Sequence, residues 1–500
     1  MKIVSVEQMR ALEAAAFAAG TSEAELQQRA GEAVAEEVLP LATGRVAVLV
    51  GHGNNGRDGA VAAKWLRQRG LAIDLVFSPR HAITPEEVAQ FSALGATITR
   101  SEDRPGVEGV LGAASLAIDA LAGIGAKGAL REPLASLAAL VNAHHGDLHV
   151  VALDLPSGID ADTGVVPGEA VWADTTVTLG GVKQGLLRFP AAERVGRLIP
   201  REIGIPSTAE RDIPYAVLEP LGLAPARPLN AHKYKFGRVL VIAGSDHFLG
   251  APVLCAGAAG RIGAGLITVA STRDVRLNVA AHLPEVTFTT HDVRADEGAA
   301  AARQVEPYLH SHNAVVLGPG LGRGPATTAF VAEVLRLRSR EHSIVIDADG
   351  LVALSELDGW PQRLGPNVVL TPHAGELQRL VGHELDEAEP DWQRAGRLAR
   401  EWGSVLAAKG PFTAVAAPDG RVDVWTRANA ALATGGTGDV LAGVTAGLLA
   451  QGLSPWDGAR LAVALHGLAA ARIVEKRGWR TLLASDLFAE LPRVLSELNR

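Results

Sequence analysis

The sequence predicts an α/β protein of two domains, each built on a mostly parallel sheet with helices on both faces. Short apolar runs, typical of buried strands, alternate with longer stretches of helical periodicity, and several runs lead directly into glycine loops. This alternation lapses between Glu202 and Pro228, where prolines are frequent, as in a linker between domains. We therefore expect one domain over residues 1–212 and a second over residues 213–500.

The composition narrows the classes of protein to which the chain can belong. Its formal charge is −8, and its 47 basic and 55 acidic residues form no long runs, which argues against a nucleic-acid partner or a membrane-surface patch. Cys255 is the one cysteine, which excludes an intrachain disulfide and suits a reducing compartment. No apolar segment is long enough to span a bilayer, and charges interrupt the N-terminal segment, unlike a signal peptide. We expect a cytoplasmic protein with no membrane partner.

The first seventy residues predict two helices followed by a strand, a glycine loop and a third helix. The second helix covers Glu23–Val38, and the strand covers the apolar run Arg45–Val50. The loop Gly51–Gly59 follows at once and leads into the third helical stretch. Strand, glycine loop and helix is the order of a phosphate-binding unit, although a lone glycine pattern is weak evidence.

Polar side chains in this loop and after two later strands predict a ligand site. Asn54, Asn55 and Asp58 add oxygens that a plain dinucleotide-binding loop lacks, although Asn and Asp also stabilise ordinary turns. Two strands end in carboxylates, at Asp119 and Asp154. Acids at the C-terminal ends of parallel strands line the crevice where ligands bind in doubly wound sheets. Two such acids beside the Asn-rich loop favour a binding site over loop capping.

A second glycine-rich segment, Gly435-Gly-Thr-Gly-Asp439, runs into an apolar helical pattern. Bare amide groups and the positive end of the helix dipole favour an anion at such a helix start. Asp439 would repel a phosphate there. The carboxylate is therefore either a helix cap or the base that takes a proton from the group attacking the phosphorus, and spacing alone leaves both roles open.

Four further strands of the second half end in polar loops. These loops are Gly318–Gly322, Asp347–Asp349, Thr371–Glu376 and Lys409–Thr413. Taken singly each is weak evidence, because His373 would more often be an ordinary loop histidine and Lys409 a solvated charge. The ordered set of motifs is stronger evidence for a functional site than any one of them.

Four motifs of the first half, in their order, resemble the NAD(P)H-hydrate epimerase family over about residues 1–210. They are Asn54-Asn-Gly-Arg-Asp-Gly59, Asp119-Ala-Leu-Ala-Gly-Ile-Gly125, Asp154-Leu-Pro-Ser-Gly158, and Ala173-Asp-Thr-Thr-Val-Thr178 with Lys183. The resemblance implies a Rossmann-like, three-layer domain that holds a hydrated nicotinamide nucleotide beside a potassium ion. By motif, Asn55, Asp119 and Ser157 would be the oxygen ligands of that ion, which suits a hard cation.

The same resemblance implies the substrate contacts of this domain. They are Asn54, Asn55, Gly56, Arg57 and Asp58, then Gly123, Ile124, Gly125, Ala126, Lys127, Gly128 and Ala129, and finally Asp154. Asp154 is the predicted proton-transfer residue. Arg57 departs from the family's commonest motif, which has Gly there, and either a phosphate contact or exposure to solvent is open to it.

The motifs of the second half, again in order, resemble the ADP- or ATP-dependent NAD(P)H-hydrate dehydratases of the ribokinase-like superfamily over about residues 230–500. By resemblance, Asp439 is the catalytic base. The hydrate would contact Ala251, Gly320, Gly322, His373 and Asp439. The adenine nucleotide would contact Lys409, Gly410, Pro411, Phe412, Thr413 and Gly438.

With both halves matched, the chain resembles the bifunctional hydrate-repair enzymes. The first domain would interconvert the C6 R and S hydrates of NADH and NADPH, and the second would dehydrate the S hydrate. The implied cofactors are ADP or ATP as co-substrate, Mg²⁺ and K⁺, and we expect a homo-oligomer. The alternative is a small-molecule kinase, for a hydroxymethylpyrimidine or a sugar, fused to a non-catalytic nucleotide- or protein-binding module. The epimerase-like half and Thr371-Pro-His373 argue against it.

Overall fold

A computed structural model describes residues 1–78, 85–220, 222–291 and 297–498, without the side chains of residues 85–88. The chain divides into two compact units, Met1–Val217 and Leu218–Arg500. The division falls inside the segment where the sequence periodicity lapses, and the domain limits of 1–212 and 213–500 stay a prediction. Both units contain a largely parallel sheet covered by helices, so the predicted α/β class is confirmed.

The first unit is built on a seven-stranded sheet. The strands of the unit are β1 (Ile3–Val4), β2 (Val46–Val50), β3 (Ile73–Phe77), β4 (Thr97–Arg100), β5 (Leu116–Ala120), β6 (His149–Leu153), β7 (Thr175–Leu179), β8 (Val182–Lys183), β9 (Arg197–Arg201) and β10 (Tyr215–Val217). Of these, β2 to β7 and β9 form the sheet, and β1 pairs with β8. The sheet has the order β4-β3-β2-β5-β6-β7-β9, and neighbouring strands are parallel throughout. The strand order reverses between β2 and β5, as in a Rossmann-like sheet, and ligands bind at such a switch point.

Helices cover both faces of this sheet and give the unit three layers. They are α1 (Val6–Ala18), α2 (Glu23–Val38), α3 (Asn54–Gln68), α4 (Pro85–Ala93), α5 (Arg104–Ala113) and α6 (Leu134–Ala143). Alternate residues of β2 show the arrangement, because Val48 belongs to one apolar core and Leu49 to the other. The predicted helix Glu23–Val38 is confirmed, and Ser22 caps its start by accepting a hydrogen bond from the amide of Glu25.

The predicted loop Gly51–Gly59 is shorter in the structure, because α3 already begins at Asn54. Its glycines allow close packing rather than a long turn. A Cβ atom at Gly56 would lie 2.0 Å from the carbonyl oxygen of Gly51, and one at Gly59 would lie 2.5 Å from the Cβ of Ala120. The first two turns of α3 therefore pack directly against the ends of the central strands, and Asn54 to Asp58 are helical residues.

The second unit is built on a larger mixed sheet. Its strands are β11 (Arg238–Ile242), β12 (Leu266–Ser271), β13 (Thr287–Thr290), β14 (Ala314–Leu317), β15 (Ser343–Ile346), β16 (Val368–Leu370), β17 (Val405–Ala408), β18 (Ala414–Ala416) and β19 (Val422–Val424). The order is β19-β18-β17-β16-β15-β14-β11-β12-β13, and the pairs β17–β18 and β18–β19 are antiparallel. The strand order reverses between β11 and β14, which marks a second switch point.

The helices of the second unit surround this sheet. They are α7 (Ala251–Arg261), α8 (Arg273–His282), α9 (Gly298–Ser311), α10 (Pro325–Leu337), α11 (Asp349–Ser355), α12 (Ala374–Val381), α13 (Asp391–Trp402), α14 (Thr437–Ala450), α15 (Pro455–Arg477) and α16 (Leu487–Leu498). Short 3₁₀ helices occur in both units at Gln184–Leu187, Ala191–Arg194, Lys233–Phe236, Trp360–Arg363, Ala430–Leu432 and Ala484–Asp486. None of the described helices is both long and apolar enough to cross a membrane.

Helices α14 and α7 approach each other unusually closely. A Cβ atom at Gly443 would lie 2.2 Å from the carbonyl oxygen of Cys255, and one at Gly447 would lie 2.5 Å from a methyl group of Ile262. The thiol of Cys255 in turn donates a hydrogen bond to the carbonyl oxygen of Asp439, 3.2 Å away. Two glycines one turn apart therefore fix the position of α14 and of the carboxylate in its first turn.

We expect Gly443→Ala to lower the free energy of unfolding of the second unit by about 1–3 kcal/mol, because the added methyl group meets backbone atoms that cannot give way. Gly260→Ala is the matched control. It lies in α7, is exposed, and would place its methyl group 3.2 Å from the flexible end of Ile267, so its effect should stay below about 1 kcal/mol. Scanning calorimetry measures the change in each variant. Equal unfolding temperatures of Gly443→Ala and Gly260→Ala would contradict the close approach of α14 to α7.

Candidate active sites

A cavity of about 570 Å³ opens at the switch point of the first unit. Loops after β2 and β5 form most of its wall. Of the predicted substrate contacts, it is lined by Asn54, Asn55, Asp58, Gly123, Ile124, Gly125, Ala126, Lys127, Gly128, Ala129 and Asp154. Gly56 is not on the wall, because it packs against Gly51, and the Arg57 guanidinium is an exposed group 3.9 Å from a carboxylate oxygen of Glu23. The phosphate contact that the sequence left open for Arg57 stays a prediction.

The three predicted potassium ligands lie together around Ala122. The side-chain amide of Asn55 donates to the Ala122 carbonyl oxygen at 3.1 Å, and the Ala122 amide donates to the Ser157 hydroxyl at 2.9 Å. Ser157 donates to both oxygens of Asp119, each at 2.7 Å. Asp119 is fully buried, and burial raises its pKa, although the hydrogen bonds from Ser157 oppose the shift.

This donor set consists of oxygens with a single carboxylate. Within the described ranges, no group of three or more His, Cys, Asp or Glu side chains could hold a metal ion. A cluster of hydroxyl, amide and carbonyl oxygens around one buried carboxylate suits a weakly charged hard cation better than a transition metal. The chemistry of the residues therefore fits the potassium ion that the resemblance implied.

Asp154 occupies a strained position at the end of β6. Its φ angle is 69°, a left-handed value that is uncommon for residues other than glycine. Its Oδ1 accepts a hydrogen bond from the amide of Leu179 at 3.0 Å and forms an ion pair with Lys183, which is 1% exposed. Thr178 donates to the same oxygen at 3.4 Å. The surrounding strands thus hold the carboxylate in one orientation.

Two further carboxyl groups face the same region. Asp58 and Glu13 line both the main cavity and an adjoining one of about 230 Å³. The Oδ1 of Asp58 is buried without a hydrogen-bond partner among the described residues. Burial, followed by the negative charges of Asp154 and Glu13, raises the pKa of Asp58 well above its usual value. Burial also raises the pKa of Glu13, which sequence reasoning missed because α1 carries no motif.

Asp439 lies in the first turn of α14, but it does not cap the helix. The capping position belongs to Gly436, whose φ is 88°, and the Asp439 carboxylate accepts no hydrogen bond from the part of the chain that the structure describes. Burial, with a further contribution from Asp347, raises the pKa of Asp439 to about 7, while Lys409 opposes the shift. A carboxyl group with this pKa can accept a proton near neutral pH.

Lys409 connects the surrounding loops. Its Nζ donates to Asp347 at 2.8 Å, and the hydroxyl of Thr371 donates to the same carboxylate oxygen at 2.8 Å. Burial lowers the pKa of Lys409, but the negative charges of Asp347 and Glu376 outweigh this effect and leave it raised. A Cβ atom at Gly438 would lie 3.3 Å from the Nζ of Lys409. The predicted nucleotide contacts Lys409 and Gly438 are therefore adjacent in space.

The predicted hydrate contacts also converge. A Cβ atom at Gly320, whose φ is 65°, would lie 3.2 Å from the Cβ of Ala251 and 2.6 Å from that of Phe248. The amide of Gly322 donates to Asp349 at 3.0 Å, which anchors the glycine loop. Phe248, which is exposed, was not predicted, because a single aromatic residue in a glycine loop carries no distinct signal.

His373 begins α12 as its N-cap. The Nδ1 atom accepts hydrogen bonds from the amides of Gly375 at 3.1 Å and Glu376 at 3.3 Å. The backbone of His373 lies beside Lys409, whose amide donates to the carbonyl oxygen of Pro372 at 2.8 Å. The structure therefore brings together a predicted hydrate contact and a predicted nucleotide contact on neighbouring strand ends.

The remaining nucleotide contacts border a small cavity of about 60 Å³. Gly410, Pro411 and Thr413 form part of its wall, and Phe412 does not. His466 closes it from α15, and burial lowers the pKa of His466 to about 4, so that the imidazole is neutral. His466 was not predicted, because a histidine on an apolar helix is usually a core residue.

Comparison with known families identifies both halves of the chain. Residues 239–493 match the family described as NAD(P)H-hydrate dehydratase, and residues 23–185 match the YjeF-related protein N-terminus. The NAD(P)H-hydrate dehydratase of Bacillus subtilis, co-crystallised with ATP and Mg²⁺, is 31% identical, with a TM-score of 0.50 over 57% of this chain and 98% of its own. A ribokinase-like protein of Enterococcus faecalis, 26% identical, has a TM-score of 0.50 over 57% of this chain and 96% of its own. The expected ribokinase-like fold of the second half is confirmed.

Relatives that match nearly the whole chain are similar to both halves at once. The bifunctional NAD(P)H-hydrate repair enzyme of Salinibacter ruber is 36% identical over 94% of this chain and 92% of its own length. That of Coxiella burnetii is 36% identical over 98% of both chains. That of Escherichia coli is 35% identical over 94% of this chain and 89% of its own. The chain belongs to the family of bifunctional NAD(P)H-hydrate repair enzymes.

Proposed function

We propose that the two units act in sequence on hydrated NADH and NADPH. The first unit interconverts the R and S hydrates at C6, and the second dehydrates the S hydrate with ADP or ATP as phosphoryl donor. The observation that carries this proposal is Asp439, a carboxyl group with a pKa of about 7 at a glycine-rich helix start beside Lys409. Such a group combines a proton acceptor with an anion-binding surface.

The dehydration follows from the chemistry of the hydrate. Hydroxide is a poor leaving group, and phosphorylation of the C6 oxygen converts it into phosphate. The oxygen of the C6 hydroxyl attacks the terminal phosphorus of the nucleotide, and Asp439 takes the proton of that hydroxyl. The amides at the start of α14 and the Lys409 ammonium stabilise the phosphoryl charge. The ring nitrogen then expels phosphate, and loss of the C5 proton restores the double bond.

Magnesium would enter this site as the companion of the nucleotide. It would neutralise phosphate charge there, which phosphoryl transfer ordinarily requires. The described carboxylates nearest to Lys409 are Asp347 and Glu376, and the lysine already compensates them. The chain itself therefore supplies one lysine and the helix amides toward the phosphates.

The epimerisation needs a proton given to the departing C6 oxygen and one taken back from the water that adds to the other face. Asp154 lines the cavity with a fixed orientation and is the proposed proton-transfer residue. Asp58 offers a second carboxyl group on the same wall, with one oxygen free of protein partners in the described residues. Two carboxyl groups in unlike environments are a common arrangement for an acid and a base.

Asn55, Asp119 and Ser157 would hold the potassium ion near this cavity. The support is the oxygen-only donor set around a fully buried carboxylate that has no cationic partner among the described residues. The cation would balance that charge and brace the substrate loops. The expected homo-oligomer and the cytoplasmic location stay predictions.

We expect Asp439→Asn to reduce dehydration of the S hydrate by about 100-fold or more, because the amide cannot accept the proton. Nucleotide affinity should stay within about threefold, since the helix amides are unchanged. In the unsubstituted protein, turnover should fall about tenfold per pH unit below pH 7, where Asp439 becomes protonated, and level off above it.

The return of the absorbance of reduced nicotinamide measures this turnover. Asp419→Asn is the control, because it removes an exposed carboxylate of the same unit. Near-normal turnover in Asp439→Asn would end the assignment of the base.

Asp119→Asn should abolish the response of the first unit to potassium. The unsubstituted protein should unfold at a higher temperature in potassium chloride than in choline chloride of equal ionic strength, because an ion that binds only the folded state stabilises it. The control Asp103→Asn removes one negative charge, as Asp119→Asn does, at a helix cap that Asn also forms. It should keep the difference in unfolding temperature between the two salts. Asp119→Asn should also dehydrate the S hydrate at the normal rate, because that reaction belongs to the second unit. If Asp119→Asn kept the full difference in unfolding temperature between the two salts, this ion site would be excluded.

Asp154→Ala should stall repair of a mixture of both epimers. The variant should consume the S hydrate at the normal rate and then slow to the spontaneous rate of epimer interconversion. Adding Asp439→Asn protein, whose first unit is intact, should restore full conversion, because the two activities reside in separate units. Chromatography that resolves the epimers follows the reaction. Equal disappearance of both epimers with Asp154→Ala alone would refute the epimerase role of Asp154.

A further inference from the structure

The N-cap of α12 is chemically unusual. Ser, Thr, Asp and Asn are the preferred caps, yet His373 fills this position with the Nδ1 of its imidazole. Two backbone amides, those of Gly375 and Glu376, donate to that nitrogen. A nitrogen that accepts hydrogen bonds carries no proton, so the ring proton of the neutral imidazole is on Nε2.

Glu376 engages the same histidine from the other side. Its Oε2 accepts a hydrogen bond from the backbone amide of His373 at 2.9 Å, and its Oε1 lies 3.4 Å from the Nε2 of the ring. The side chain of Glu376 is only 12% exposed, whereas that of His373 is 60% exposed. Both nitrogens of the ring are therefore directed toward the protein, and its face remains accessible.

Glu376 also reaches the nucleotide side of the site. Its Oε2 lies 3.8 Å from the Nζ of Lys409, which is bound more closely by Asp347 at 2.8 Å. One partly buried carboxylate thus lies beside both His373, a predicted hydrate contact, and Lys409, a predicted nucleotide contact. A side chain needed only for the cap would not have to contact Lys409.

We propose that Glu376 is a positioning residue of the dehydratase site, which orients the His373 ring as a fixed face for the hydrate; this inference rests on the proposed function. The ring contacts the hydrate without exchanging a proton, because Nδ1 is occupied by backbone amides and Nε2 faces Glu376. Lys409 keeps its main partner, Asp347, whether or not Glu376 is charged. The effect of Glu376 is therefore specific to the hydrate.

Glu376→Gln separates this role from helix capping. Gln also completes a capping box, so the unfolding temperature should change little. Its neutral amide cannot present one negative oxygen to the His373 backbone amide and another to the Nε2 side of the ring, so the ring should be held less firmly. The KM for the hydrate should rise about tenfold, the value of roughly one hydrogen bond, and the KM for ADP or ATP should change less than about threefold.

A double-variant cycle tests whether Glu376 acts through the ring. His373→Asn keeps a good cap and removes the ring, so it should raise the KM for the hydrate at least as much. In that background Glu376→Gln should raise it no further, because residues that act through one contact are not additive. Nitrogen NMR of the ring, assigned by its loss in His373→Asn, should report the Nε2–H form in both proteins, because the backbone amides still donate to Nδ1, and the Nε2 signal should shift in Glu376→Gln.

Glu387→Ala, an exposed acid after the same helix, is the control and should change neither KM. An unchanged KM for the hydrate in Glu376→Gln, or additive effects in the cycle, would overturn the positioning role. So would a loss of kcat with an altered pH profile, which would make the pair a proton relay. Absence of hydrate turnover in the unsubstituted protein would instead reject the proposed function itself.

Discussion

The close packing of a glycine-bearing helix against its neighbours is the constraint on which each site depends. In the second unit, Gly443 lets α14 touch the backbone of Cys255, and the approach buries Asp439. In the first unit, Gly56 and Gly59 bring the start of α3 against the ends of β2 and β5. Any side chain at these positions would push the helix outward. The exposed amides of a helix start are thereby brought to the switch point of the sheet, where ligands bind.

This constraint also explains the acidity of the groups nearby. A helix that packs so closely leaves little room for water around the side chains of its first turn. Asp439 loses solvation and has Asp347 as a neighbour, so its pKa rises to about 7 despite Lys409. The glycines that let α14 pack closely therefore also affect the surroundings of Asp439, the proposed base.

Much of the architecture could be predicted because it depends on local patterns. The spacing of apolar residues predicted the helix Glu23–Val38 and the buried strands. The loss of this periodicity near residue 210, where prolines are frequent, predicted the boundary between the domains. Asn55, Asp119 and Ser157 were grouped by the resemblance of their motifs to the epimerase family, and the structure places them together. Sheet topology by itself predicted only that the strand-end acids Asp119 and Asp154 lie at one edge of a parallel sheet.

The rest depends on contacts between distant segments, which spacing does not encode. The early start of α3 at Asn54 follows from the space available beside Gly51, and the cavity wall formed by Glu13 comes from a helix without any motif. The cap formed by His373 is also invisible in sequence, because histidine is rarely a cap and only the structure gives the direction of its ring. Packing and side-chain orientation decided each of these features.

The hydrogen-bond environment divides the buried carboxylates into two kinds. Asp119 accepts hydrogen bonds from Ser157 and Leu121, and Asp347 accepts from Lys409 and Thr371, so both carboxylates are held in one orientation. Donors stabilise the charged form and fix its direction. Such a carboxylate suits a cation or a lysine better than a moving proton.

Asp439 and one oxygen of Asp58 are the contrast, because no described residue donates a hydrogen bond to them and burial raises the pKa of both groups. A buried carboxyl group without donors is costly as a permanent charge. It becomes useful where it gains and loses a proton during turnover. Asp439 and Asp58 are therefore suited to gain and lose a proton, whereas Asp119 and Asp347 are suited to hold the loops in place.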